Sequence, residues 1–124
     1  MLEHSVEALV DAGASPLVIV APEGLHTEAL TAAGNPAGAI TVSGGDTRQA
    51  SVRAGREALV DFGPERVLIH DAARPHIASA VIARLLEALQ THAGAIHTLH
   101  VVESLAVVGG GATSRGKAEQ EKLC

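Results

Sequence analysis

The sequence predicts an α/β protein with a mainly parallel sheet, and three observations carry the prediction. Short apolar runs rich in Val and Ile alternate with longer segments whose apolar residues recur at helical spacing. The breaks between them fall at Gly, Pro and Asn, the residues that interrupt regular structure. The chain has 124 residues, a one-domain length, and 47% of them are apolar, enough for a core and too many for a disordered tail.

Leu2, Val6, Leu9 and Val10 open the chain at helical spacing, with Glu3, Glu7 and Asp11 mostly opposite and Gly13 as a C-terminal cap. Pro16 to Ala21 is a short apolar run, read as a buried strand. Residues 25–33 read as a short Ala-rich helix ending at Gly34, before the breaker Asn35-Pro36. Ala39 to Val42 is a second strand. The segment from Ser43 to Arg48 is a loop, because adjacent glycines suit neither a strand nor a helix interior. Arg48 to Val60 is helical, and Gly55 inside it marks close packing, since it costs about 1 kcal/mol relative to Ala. Val67-Leu68-Ile69 is a third strand. Ile77 to Thr91 is the clearest helix, with Val81, Leu85, Leu86 and Leu89 as its apolar face. Ala95 to Val102 is a fourth strand. Parallel strands need crossover helices between them, and this order supplies them. Residues 1–108 form the α/β domain, and 109–124, beginning with three glycines and running into charge, are expected to be a flexible tail.

Composition excludes several classes. Nine basic against fourteen acidic residues give a net charge of −5, the wrong sign for a nucleic-acid binder. A single cysteine, Cys124, excludes an internal disulfide framework. No apolar run approaches the roughly 20 residues of a membrane span, and the N-terminus lacks the pattern of a secretory signal. A cytoplasmic protein is expected. With one Phe and no Trp or Tyr, the core must be aliphatic. His97 and His100 differ by an odd number, so a strand would point them to opposite faces and hold no metal between them.

In open α/β sheets, ligands bind outside the carboxyl ends of the strands. Two loops occupy such places. Gly44-Gly45-Asp46-Thr47-Arg48 lets a flat ligand approach the backbone, and the helix after it offers free N–H groups, with Ser51 in its first turn. The competing reading is a plain turn in which Asp46 or Thr47 caps the helix. His70-Asp71-Ala72-Ala73-Arg74-Pro75 puts a carboxylate where a nucleotide crevice would hold Mg²⁺, and an Arg that can meet a phosphate bidentately. The competing reading is an Asp71–Arg74 ion pair across the loop.

These two loops carry a resemblance. The run from Ser43 to Gly55, a Gly-Gly-x-x-Arg-x-x-Ser-Val-x-x-Gly pattern, followed by Val67 to Pro75, resembles the 2-C-methyl-D-erythritol 4-phosphate cytidylyltransferase family. Leu2 to Val6 and Gly94-Ala95-Ile96 are similar to that family as well, so the likeness covers residues 2 to about 108. It implies a Rossmann-like three-layer sandwich of the nucleotide-diphospho-sugar-transferase type, usually a homodimer. It also implies transfer of the cytidylyl group of CTP to methylerythritol phosphate in the non-mevalonate isoprenoid pathway. Carried onto matching positions, Gly44, Gly45 and Asp46 would read the cytosine and ribose, and Ser51 would support the base. Asp71 would coordinate Mg²⁺, and Arg74 would contact the substrate phosphate. Some members are fused to the cyclodiphosphate synthase that acts later in the pathway, so fusion or association with it is expected.

The departures are specific. The family opens with a strand and a glycine-rich loop that, with an Arg and a Lys, grips the triphosphate. Here the first element is a helix, so the fold is expected to be incomplete. The family's Pro-Val-x-Asp-Thr segment reads His100-Val101-Val102-Glu103-Ser104, with Ser104 keeping the hydroxyl. Arg115 stands where the family's subunit-crossing arm carries an Arg. Loss of one charge-stabilising group costs about 3–4 kcal/mol of barrier, so weak or no catalysis is expected of these 124 residues alone. The alternatives are a non-catalytic assembly module of the same fold, or a nucleotidyltransferase acting on another phosphorylated alcohol.

Overall fold

A computed structural model describes residues 2–74 and 76–98, together with the backbone of 106–108 and 114–117. The elements are α1 (Leu2–Asp11), β1 (Val18–Ala21), α2 (His26–Ala32), β2 (Ile40–Ser43), α3 (Arg48–Leu59), α4 (Ser79–Ala88), β3 (Ala106–Val108) and β4 (Ser114–Lys117). A 3-10 turn, Val60–Phe62, extends α3.

The two helices flanking β1 end alike. Gly13 sits at φ +85° and Gly34 at +79°. After α1, Gly13 donates to the Val10 carbonyl at 2.8 Å and Ala14 to that of Leu9 at 2.9 Å. After α2, Gly34 donates to Thr31 at 3.0 Å and Asn35 to Leu30 at 2.9 Å. Both are Schellman caps, which satisfy the last carbonyls and need a left-handed residue at that position.

β1 and β2 pair in parallel, Val18 opposite Ile40 and Ala21 opposite Ser43. Their side chains alternate between the two faces. Ile19 joins Val6 of α1 and Ala33 in the buried cluster, with Leu2, Leu17, Ala29, Leu30 and Ala39 packed around it. Val18 and Val20 face α3, where a Cβ on Gly55 would lie 3.0 Å from the Val20 side chain. Gly55 is therefore the close contact its position predicted, and helices cover both faces of the pair. The register brings the carboxyl ends of β1 and β2 side by side, so the loops at Pro22 and Gly44 open on one rim.

Three expectations are corrected. Val67–Ile69 joins no ladder: among the described residues the sheets are β1–β2 and β3–β4. A strand needs a partner within about 5 Å, and a cavity of about 700 Å³ lies here instead, with Val18–Ala21 and Val67–Asp71 on its walls. Ile69 is left exposed, and the buried Ser5 Oγ, also at this cavity, has no hydrogen-bond partner among the described residues. Residues 95–98 of the expected fourth strand carry no regular structure, and Ile96 is 85% exposed; residues 99–102 lie outside the described residues. The helix expected over 77–91 runs from Ser79 to Ala88, and no side chain caps its start. The antiparallel β3–β4 ladder lies where no strand is expected, and β4 falls in the stretch read as a flexible tail.

Candidate functional site

The first loop is built by what its glycines exclude. A Cβ on Gly44 would stand 2.9 Å from Ser51 Oγ, and one on Gly45 would stand 2.5 Å from Ala50 Cβ. Neither position has room for a side chain while α3 begins where it does. The start of α3 is fixed by Thr47, whose extended backbone precedes the helix and whose Oγ1 accepts from the Ala50 N–H at 3.0 Å. Thr47 is thus the capping residue of the two candidates. Ser51 Oγ accepts from the Gly45 N–H at 3.1 Å and lies 3.4 Å from the Gly45 carbonyl, to which it donates. That clamp holds the glycine pair open beside a cavity of about 290 Å³, lined by Val20, Ala21, Pro22, Gly44, Gly45 and Ser51. One wall is bare backbone and the others are small and largely apolar, which suits the face of a planar base.

The second loop is a braced turn. The Arg74 N–H donates to the Asp71 carbonyl at 3.0 Å, and His70 Nε2–H donates to the Arg74 carbonyl at 2.7 Å. The Asp71 carboxylate does not take Arg74 as its ion-pair partner. It is held by Arg48, with Nη2 at 2.8 Å and Nε at 3.3 Å from Oδ1. This contact joins the two loops across 23 residues of sequence. The Arg48 hydrogen bond holds the Asp71 carboxyl below its ordinary value of 3.8; partial desolvation opposes it, and the charges of Arg48, Arg74 and His70 each add a smaller lowering. A depressed carboxyl stabilises the fold above the ordinary value and loses that contribution as pH falls through the depressed one. Arg48→Met is therefore expected to raise the Asp71 midpoint toward 3.8 in a carboxyl NMR titration and to remove that contribution at neutral pH, a small loss because the pair is open to water. A midpoint that stays low would show that another group depresses it.

Gly44, Gly45 and Ser51 share the smaller cavity, and Ser51, Arg48 and Asp71 line the larger one. Ser51 therefore stands between them. Asp46 and Arg74 line neither, and both are exposed at the rim. Ser104 lies outside the described residues, and of Arg115 only the backbone, in β4, is described. Among the described residues no group of three or more His, Cys, Asp or Glu forms a ready-made metal cage. A lone carboxylate fits Mg²⁺ nonetheless, since that ion binds through one or two carboxylates, substrate phosphates and water.

Arg48 had no assigned role in the sequence reading, yet a signal was available. It is the first residue of α3, where the helix dipole disfavours a cation, so its charge calls for a nearby carboxylate. His26 was also missed: its Nε2 lies 3.0 Å from Ser43 Oγ and ties the start of α2 to the end of β2.

The family model for 2-C-methyl-D-erythritol 4-phosphate cytidylyltransferase matches residues 1–123. The chain is 46% identical to a bifunctional enzyme IspD/IspF of Erythrobacter litoralis, over 99% of this chain and 32% of that protein. It is 44% identical to the corresponding protein of Novosphingobium aromaticivorans, over 98% of this chain and 31% of that one. The chain thus spans about a third of the length of these relatives. Its fold matches the crystal structure of a 4-diphosphocytidyl-2C-methyl-D-erythritol synthase with a TM-score of 0.75 at 27% identity, covering 98% of this chain and 60% of that one. It matches the 2-C-methyl-D-erythritol 4-phosphate cytidylyltransferase of Thermus thermophilus with a TM-score of 0.68 at 32% identity, covering 98% and 54%.

Proposed function

The chain belongs to the 2-C-methyl-D-erythritol 4-phosphate cytidylyltransferase family, and on that premise we propose that it forms the base-reading and metal-holding part of a transferase joining CTP to 2-C-methyl-D-erythritol 4-phosphate in isoprenoid biosynthesis. A phosphate oxygen of the alcohol substrate attacks the α-phosphorus of CTP in line. The bond from that phosphorus to the β-bridging oxygen breaks, and pyrophosphate leaves with the electron pair. The protein's share of this work is orientation and charge neutralisation. Gly44, Gly45 and Ser51 receive the base, and Asp46 lies at the rim for the ribose. Asp71 is the ligand for Mg²⁺, which when bound offsets the charge of the phosphate oxygens. Arg74 is left to meet the substrate phosphate.

The observation that supports this most directly is the contact between Arg48 and Asp71, which places the acidic loop beside the helix that carries Ser51 and the glycine cavity. CTP with Mg²⁺ is expected to raise the melting temperature of the protein, and Asp71→Ala to remove most of the rise while leaving the ligand-free melt unchanged. Absence of any shift with CTP would overturn the reading; a larger shift with ATP or UTP would favour transfer of another nucleotide.

The same proposal includes a homodimer and, following the bifunctional names of its relatives, physical association with a second enzyme of the pathway. The backbone of Val67–Ile69 and the outer edge of β1, which join no further strand among the described residues, favour self-association. Size-exclusion chromatography is expected to give a dimer or larger species; a clean monomer at high concentration would count against it. No described helix is long and apolar enough to cross a membrane, and a cytoplasmic location completes the proposal.

A further inference from the structure

We propose that Arg48 is a positioning residue for the metal–nucleotide site: it holds one oxygen of the Asp71 carboxylate so that the other faces the cation. The inference rests on Asp71 being the metal ligand, as proposed above, and adds what determines that ligand's orientation.

Two donors of one guanidinium converge on Oδ1, Nη2 at 2.8 Å and Nε at 3.3 Å. Among the described residues no hydrogen bond reaches Oδ2. The carboxylate is thus restrained about its last torsion, with one oxygen used and one offered. A small hard cation such as Mg²⁺ demands near-octahedral geometry and takes a carboxylate best through a single oxygen. An unrestrained Asp71 would sample either oxygen and chelating poses.

The pair is poorly explained as a stabilising device. The side chains are 69% and 42% exposed, and ion pairs that open to water add little to stability. Arg48 also begins α3, the end of a helix at which a positive charge is unfavourable. Arg74 was available three residues from Asp71, yet its backbone N–H serves the turn and its guanidinium makes no ion pair among the described residues. The arrangement spends a distant, awkwardly placed Arg on the carboxylate and leaves the adjacent one for an anion. Groups that orient a metal ligand in this way typically change metal affinity by about 10–100-fold when removed.

The sign of the effect separates positioning from plain electrostatics. If Arg48 were only a nearby positive charge, its removal would tighten cation binding. If it orients Asp71, removal weakens it. Mn²⁺ binding in the presence of CTP, followed by electron paramagnetic resonance, reads this directly. For Arg48→Met we expect affinity to fall about 10–100-fold. Arg48→Lys keeps the charge without the two-donor fork, so its affinity is expected to fall between those of Arg48→Met and the unaltered chain. Cytidine, which carries neither phosphate nor metal, should bind both variants as it binds the unaltered chain. Mn²⁺ affinity that is unchanged or tighter in Arg48→Met overturns the proposal, as does a parallel loss of cytidine binding, which would mark a collapsed loop. Arg48→Gln gives a second reading of the same sign should the Met variant fold poorly. If the unaltered chain does not bind Mn²⁺ with CTP, the functional reading itself falls, an outcome distinct from loss of this inference alone.

Discussion

Gly45→Ala is expected to remove most CTP binding while leaving the fold intact. The added methyl would stand 2.5 Å from Ala50 Cβ, far inside van der Waals contact. What it meets is the stub of a helix residue with no rotamer to yield, so either the loop or the first turn of α3 must move. Both are tied together by the Ser51–Gly45 clamp and the Thr47 cap, so movement opens the base cavity. Overpacking of this kind costs about 1–3 kcal/mol, which in affinity is about one to two powers of ten. Gly44→Ala should be milder, because its methyl meets the rotatable Ser51 hydroxyl at 2.9 Å. Gly94→Ala is the control, since nothing lies within 4 Å of its Cβ position. Calorimetric titration with CTP and Mg²⁺ across the three variants gives the ranking. If Gly45→Ala binds like the unaltered chain, the glycine pair does not line the base site.

The particular residues explain what the sequence revealed and what it withheld. α1, α3 and the two strands of the parallel pair are local: each is set by a few neighbouring side chains, and apolar spacing marks them within a residue or two. Gly55 was also legible, because glycine within a helix is costly unless something must come close, and Val20 does. Val67–Ile69 was misjudged because β-branching shows that a segment suits a strand without showing what it pairs with. The site divided in the same way. Its composition, a glycine pair near an acidic turn, was visible in the motifs. Its wiring was not: the ion pair local reasoning offers for Asp71, as the competing reading, is with Arg74 three residues away, and the structure pairs it with Arg48 across 23. Contacts at such separations depend on how crossovers bring loops to one rim, which no single-segment pattern encodes.

The largest loss of stability is expected from Ile82→Ala, a residue the apolar pattern of α4 passed over. Reading that face as Val81, Leu85, Leu86 and Leu89 centred it one position off. Residues 82, 85, 86 and 89 follow the i, i+3, i+4, i+7 rule, and Ile82 is 1% exposed whereas Val81, Leu85, Leu86 and Leu89 are only half-buried. Truncating a buried Ile to Ala costs about 2–5 kcal/mol. Small domains have about 5–15 kcal/mol in total, and here the described core is thin, with Val6, Ile19, Ala21 and Ala33 as the other buried apolar side chains. Ile82→Ala should therefore leave a chain that is marginal at room temperature, while Ile82→Val, losing one methyl, costs about 0.5–1.5 kcal/mol. Composition alone points elsewhere, to Phe62, the single aromatic residue. That side chain is 56% exposed. Full burial of a Phe contributes about 1.5–3 kcal/mol, so its partial burial allows at most about half of that, and Phe62→Ala should be the gentler change. Urea unfolding of the three variants decides between size and burial: a Phe62→Ala loss equal to or greater than that of Ile82→Ala would show that side-chain size, not burial, sets the cost.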